Sequence, residues 1–114
     1  KEQVVDDVIA SAFQSAGLCC SCVRLLLHPR GRRDDIIETL LGAMDCLVVG
    51  DPADPFTDIG PIIDAEAKAS LERHMERMRK EASVLKHIDV SERGGNFFGP
   101  AVVELKSLDQ IDRE

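Results

Sequence analysis

Three thiols crowd the stretch Leu18-Cys19-Cys20-Ser21-Cys22. A cysteine attacks a carbonyl as the thiolate, so a nucleophilic cysteine needs exposure on a turn and a positive or hydrogen-bonding neighbour. The run offers the exposure. Arg24 is the only near cation in sequence, and strand alternation can aim it elsewhere. The helix expected just before the turn points its negative end at the thiols, which works against the thiolate. On spacing alone, a catalytic cysteine therefore competes with buried or incidental thiols. A metal site has less support, because Cys20-x-Cys22 lacks a second matched pair and His28, His74 and His87 show no ligand spacing relative to it. No metal is expected. Cys19, Cys20 and Cys22 fall within four residues, and neighbouring cysteines of this kind cannot easily bridge each other without strain, so reduced thiols are expected, Cys46 included.

The elements that must carry these thiols follow from periodicity. Val4, Val5, Val8, Ile9, Ala12 and Phe13 repeat as one apolar face of a helix, and Gly17 just beyond tolerates the left-handed conformation that closes helices. The cysteines then sit in a tight turn from Ala16 to Ser21. Val23, Leu25, Leu26 and Leu27, ended by His28-Pro29 and Gly31, predict a short buried strand. Asp34 or Asp35 can cap a second helix, with Ile36, Ile37, Leu40, Leu41, Met44 and Leu47 on one face, ending near Val49. Between Gly50 and Pro61 the density of proline and glycine predicts a long structured loop. Asp64 can cap a third helix with a stripe of Leu71, Met75, Met78 and Ala82, in which the methionines fill core rather than ligate. Val84 to Val90 and Phe97 to Leu105 predict two further strands, joined through glycine-bearing residues 91–96. This order implies an α/β fold with helices packed on a small sheet.

Composition narrows the function classes. A chain of 114 residues has the length of one domain. With 44% hydrophobic and 31% charged residues it is ordinary globular material rather than a disordered or membrane chain. Aromatics at 4%, with no Trp or Tyr, leave little for base stacking or cationic cages. A net charge of -7 repels phosphate polyanions and anionic lipid surfaces, so neither nucleic acid nor membrane is an expected partner. The mixed-sign run Arg30, Arg32, Arg33, Asp34, Asp35 is expected to be a solvated loop. No stretch is apolar enough to span a bilayer and the amino end lacks a signal-peptide pattern, so a cytoplasmic location is expected.

Read as a string, Phe13-Gln14-Ser15-Ala16-Gly17-Leu18-Cys19-Cys20-Ser21-Cys22-Val23-Arg24 resembles the active-site cysteine signature of the aldehyde dehydrogenase superfamily, with Phe13, Gly17 and Cys20 at its defining positions. Gly50-Asp51-Pro52 followed by Thr57-Asp58-Ile59-Gly60-Pro61-Ile62-Ile63 resembles a loop motif of the same superfamily. The words Ile9-Ala10-Ser11-Ala12-Phe13, Gly42-Ala43-Met44 and Asp64-Ala65-Glu66-Ala67-Lys68-Ala69 are most similar to the pyrroline-5-carboxylate dehydrogenase module of bifunctional proline utilisation A proteins. The resemblance covers essentially the whole chain. It implies that residues 1–114 are part of a catalytic domain, bearing the cysteine and lacking the nucleotide-binding domain. By the same resemblance, Cys20 is the nucleophile that adds to an aldehyde, giving a thiohemiacetal that loses hydride to NAD and becomes a thioester. The backbone N–H of Cys20 then helps hold the oxyanion, since a preorganised amide stabilises developing charge. The resemblance also implies that Ser21 contacts the carboxylate end of glutamate semialdehyde and that Glu114 matches a glutamate that binds a ribose of the cofactor.

Departures from the family pattern set further expectations. Leu18 stands where the family has Gln or Glu, and Cys19 and Cys22 are unusual flankers of the nucleophile. Gly94-Gly95 and Gly99 follow the wrong elements for a dinucleotide loop and read as turn residues. NAD is therefore not expected bound to this chain, and the chain alone is expected to be inactive. The alternative is a degenerate remnant serving as a small structural or interaction domain without catalysis. Unpaired strand edges lead to the expectation of a homo-oligomer.

Overall fold

A computed structural model of the chain describes residues 2–111. Length leads to the expectation of one domain; the chain divides into two compact units, Lys1–Pro61 and Ile62–Glu114. Together they carry helices and a two-stranded antiparallel sheet, an α/β composition as expected.

In the first unit, helix α1 spans Glu2–Phe13 and packs on helix α2, Arg33–Asp45. Val5, Leu40 and Met44 are buried, as the apolar spacing requires. Past Phe13 the chain does not simply stop at a glycine. Ser15 (φ 54°) and Ala16 (φ 55°) already adopt the left-handed conformation, and Gly17 follows at φ 70°. Side-chain-bearing residues cost about 1 to 3 kcal/mol each there. The N–H of Leu18 donates to the Ser15 carbonyl at 3.2 Å and closes the turn. Gly17 is needed twice, for its positive φ and because a Cβ would stand 3.2 Å from the Ala12 carbonyl oxygen.

The strand expected at residues 23–27 does not form. The segment runs without secondary structure, and Val23, Leu25 and Leu27 are exposed. A strand is completed by a hydrogen-bonded neighbour, and among the described residues none runs beside this one. Its start is pinned instead by Ser11 of α1, whose Oγ accepts from the Val23 N–H at 3.2 Å.

Neither Asp34 nor Asp35 caps α2. A short 3-10 turn, Arg30–Arg32, leads directly into the helix, so both aspartates fall in its first turn, where carboxylates complement the positive helix end. Arg33 and Asp34 pair at 2.6 Å and Arg32 and Asp35 at 3.8 Å, all solvated as expected, but the run is a 3-10 turn and a helix start rather than the expected loop. The helix ends at Asp45 rather than near Val49 because Val48 and Val49 are drawn onto the next loop. Val49 forms an isolated parallel bridge with Ile59, and Gly50 N–H donates to the Ile59 carbonyl at 2.9 Å. The expected loop is thus structured, and its own carboxylates fold it: Asp51 accepts from the Ala53 N–H and Asp54 from the Phe56 N–H, each at 2.9 Å.

In the second unit, helix α3 spans Ala65–Glu81. Asp64 caps it as expected, its Oδ1 accepting from the Ala67 N–H at 2.7 Å. Met75 and Met78 are buried, confirming their packing role. Strands β1 (Ser83–His87) and β2 (Ala101–Glu104) pair antiparallel with an irregularity between Val84 and Lys86. They are shorter than the periodicity suggested because residues 89–99, beyond the Ile88 N–H that donates to the Pro100 carbonyl, turn aside to make the connection. Gly99 lies there against the Ile88 carbonyl, where any Cβ would overlap that oxygen. Gln110 fastens the end of this unit, its amide nitrogen donating to the Glu81 carbonyl at 2.7 Å.

Candidate active site

The cysteines occupy a hydrogen-bonded turn. Cys22 N–H donates to the Cys19 carbonyl at 3.1 Å, which places Cys20 and Ser21 at the two central positions. Cys19, Cys20 and Ser21 are exposed, Cys22 is half-buried, and all four cysteines of the chain are free thiols. The turn stands where the left-handed run Ser15 to Gly17 turns the chain away from α1.

Arg24 is not aimed away from the thiols. Its guanidinium folds back over the turn, donating to the carbonyls of Cys22 at 2.8 Å, Cys19 at 3.3 Å and Cys20 at 3.4 Å. The planar fork of arginine suits several acceptors at once. With these carbonyls gathered on the cation, the Cys20 N–H makes no hydrogen bond among the described residues. An open amide beside an exposed thiol is the arrangement that can receive an oxyanion formed at that sulfur.

An open groove of about 440 Å³ lies beside the turn, lined by Ser15, Ala16 and Leu18 on one side and by Pro52, Thr57, Asp58, Gly60 and Pro61 on the other. The two stretches singled out in sequence, the cysteine string and the Gly50 to Ile63 loop, therefore meet in space. Leu18 lines this groove; Cys20 and Ser21 do not. Asp58 shapes the groove wall and its carboxylate is committed, since Oδ2 accepts from the Val48 N–H at 2.8 Å while its own N–H donates to the Val48 carbonyl at 2.8 Å.

Glu114 lies outside the described residues. Among those described, no group of three or more His, Cys, Asp or Glu side chains converges as a metal site. A dinucleotide would need a strand, a glycine turn and a helix in succession. Here Gly94 and Gly95 follow a 3-10 turn and lead toward an antiparallel strand, so these glycines do not form such a dinucleotide loop. No helix among them is long and apolar enough to cross a membrane.

In the second unit, His87 is held below the usual histidine range, first by burial and then by the Arg79 charge. Arg79 donates to His87 Nδ1 at 3.2 Å, which requires the ring proton on Nε2, and the Phe98 ring lies 5.0 Å away. Asp89 is held low by hydrogen bonds from the Ser91 N–H and then the Ser91 side chain.

Sequence reasoning left the direction of Arg24 open and missed the roles of Ser11 and Asp58. A serine inside a helix and an aspartate in a loop carry no local signal for partners 12 and 10 residues distant.

Comparison with known proteins agrees with the string and loop motifs. The aldehyde dehydrogenase family model matches residues 1–114. Bifunctional protein PutA of Klebsiella aerogenes is 44% identical over 120 residues, covering 99% of this chain and 9% of that protein. The succinate-semialdehyde dehydrogenase (NADP(+)) GabD of Escherichia coli K12 is 37% identical over 115 residues, covering 99% of this chain and 24% of that protein. A crystal structure of a Bradyrhizobium japonicum proline utilization A variant matches with a TM-score of 0.94 at 42% identity, covering 99% of this chain and 11% of that one. The chain thus spans about a tenth of the length of its PutA relatives. With a family model matched from end to end and a turn that presents the signature cysteine to solvent, the chain belongs to the aldehyde dehydrogenase family.

Proposed function

We propose that residues 1–114 form the cysteine-bearing part of an aldehyde dehydrogenase catalytic domain, with Cys20 as the nucleophile toward an aldehyde. The observation that carries this reading is the exposed Cys20 thiol on a turn whose carbonyls are drawn onto Arg24, leaving the Cys20 N–H open. The thiolate adds to the aldehyde carbon, a C–S bond forms, and the carbonyl π pair moves to oxygen, where the Cys20 N–H donates to it. Protonation gives the thiohemiacetal. Relatives named for proline utilisation favour glutamate semialdehyde as the aldehyde, with Ser21 beside Cys20 meeting its carboxylate. In the family, NAD supplies oxidation by accepting hydride, and Glu114 is the candidate for holding a cofactor ribose. No strand–glycine–helix dinucleotide loop forms among the described residues, which supports a chain whose own chemistry ends at the addition and which alone is inactive as a dehydrogenase.

Alkylation of the reduced chain with iodoacetamide at neutral pH, followed by peptide mapping, tests this. Cys20 is expected to react first, and a competing aldehyde is expected to slow it selectively. Equal reaction of all four thiols overturns it in favour of a second reading, a remnant with a structural or interaction role. That reading is favoured by Leu18, which lines the groove that Cys20 does not reach.

The proposal extends to self-association. The extended segment 23–27 exposes Leu25 and Leu27, and the two-stranded sheet has two outer edges. Sedimentation is expected to show a dimer or larger species; a strictly monomeric chain at high concentration overturns it.

A further inference from the structure

We propose that Cys19 and Cys22 are an oxidation site of their own: a dithiol that closes to a disulfide across the turn, leaving Cys20 as the free thiol between them. It does not rest on Cys20 being the nucleophile toward an aldehyde. The sequence expectation that Cys19, Cys20 and Cys22 cannot easily bridge one another without strain is set aside here for the outer pair alone. The outer pair is different, because Cys19-Cys20-Ser21-Cys22 has the Cys-x-x-Cys spacing of redox-active dithiols.

Three observations bring the outer pair together. Cys22 N–H donates to the Cys19 carbonyl at 3.1 Å, so the two residues are the ends of a four-residue turn. The ends of such a turn have Cα atoms within about 7 Å of each other, and disulfides bridge Cα separations of about 4.4 to 6.8 Å. The Arg24 guanidinium then ties the same two residues, donating to the Cys19 carbonyl at 3.3 Å and the Cys22 carbonyl at 2.8 Å. Finally, Cys19 is exposed and Cys22 half-buried, which separates a thiol that meets oxidant from one that resolves the product. The fourth thiol takes no part: Cys46 stands at the end of α2, its Sγ 3.8 Å from the Gly42 carbonyl of its own helix.

The oxidant is a peroxide. The Cys19 thiolate attacks one peroxide oxygen, an S–O bond forms, the O–O bond breaks, and the departing hydroxide takes a proton and leaves as water. The Cys22 thiolate then attacks the sulfenic sulfur, an S–S bond forms, the S–O bond breaks, and hydroxide leaves with the proton that Cys22 gave up. Two thiols and one hydrogen peroxide yield one disulfide and two waters. A small dithiol such as dithiothreitol reverses it through a mixed disulfide.

The test is oxidation of the chain with hydrogen peroxide near one equivalent, alkylation with iodoacetamide, and mass spectrometry of the tryptic peptide 2–24. This peptide is expected to be lighter by two hydrogens, to carry one carbamidomethyl group placed on Cys20, and to give no backbone fragments between Cys19 and Cys22. C20S and C46S are expected to keep the loss of two hydrogens, and C19S and C22S to abolish it. A loss that persists in C19S or C22S, or that disappears in C20S, overturns the proposal. So does a peptide alkylated on all three cysteines, or one found only in covalent dimers. The fragment pattern of the unsubstituted chain decides the matter if a serine variant fails to fold.

Discussion

Arg24 donates to the Cys22 carbonyl at 2.8 Å and through its other terminal nitrogen to the Cys19 carbonyl at 3.3 Å, so one cation spans both ends of the cysteine turn. The turn is therefore held by a side chain from the segment that follows it. Its preceding side is held by backbone conformation, the left-handed run from Ser15 to Gly17.

Arg24→Ala is expected to loosen the turn at a cost of about 1 kcal/mol, low for a charge-assisted hydrogen bond because the site is exposed. Hydrogen exchange at the Cys22 amide should quicken, with α3 unaffected. Arg24→Lys keeps the charge but not the planar fork, so it should restore only part of the protection. Unchanged exchange in the alanine variant would show that the backbone alone holds the turn.

Met44, on α2, is fully buried at 0% exposure. Met44→Ala is expected to cost about 2 to 5 kcal/mol through lost burial and the cavity left behind. Met44→Leu, which nearly conserves volume, should cost less than about 1.5 kcal/mol. Urea midpoints at unchanged slope measure both, and a midpoint unmoved by the alanine would mean that this residue's burial does not stabilise the fold.

Two glycines should respond in opposite directions. A Cβ at Gly99 would overlap the Ile88 carbonyl, so Gly99→Ala must displace backbone beside the Ile88 N–H, which donates to the Pro100 carbonyl at 3.0 Å. A loss above about 1 kcal/mol and displaced amide signals in β1 and β2 are expected. Gly42 lies inside α2 with nothing within 4 Å of where a Cβ would stand. Gly42→Ala should therefore raise the melting temperature, with a gain of about 0.5 to 1 kcal/mol.

His87 supplies a pH dependence whose sign follows from its lowered pKa. The folded state binds the proton less readily than the unfolded chain, so His87 contributes stability that is fully present above the ordinary value of 6.5 and is lost as pH falls below it. Denaturation midpoints should decline through that range in the native chain. The decline should be shallower in His87→Phe, which keeps the ring beside Phe98 and removes the titration. A steeper decline in the variant would contradict the assignment.

The amino-acid sequence by itself determined whatever is settled within a few residues of chain. The apolar spacing of α1, α2 and α3, the Asp64 cap, the burial of Met75 and Met78 and the left-handed Gly17 all arise from contacts one or two helical turns apart. The motif string around Cys20 likewise marked the turn that carries the thiol. Tertiary structure alone decided the rest. The apolar run at residues 23–27 has strand composition, yet a ladder needs a second chain segment alongside, and none of the described residues supplies one. Asp34 and Asp35 are good caps by type, but the 3-10 turn upstream moved the helix start ahead of them, to Arg33. Arg24 could have pointed to either side of an extended segment; three carbonyl acceptors in the turn chose for it. Ser11 and Asp58 acquired their roles from backbone groups 12 and 10 residues away, because hydrogen bonds at that separation depend on where the chain has already folded.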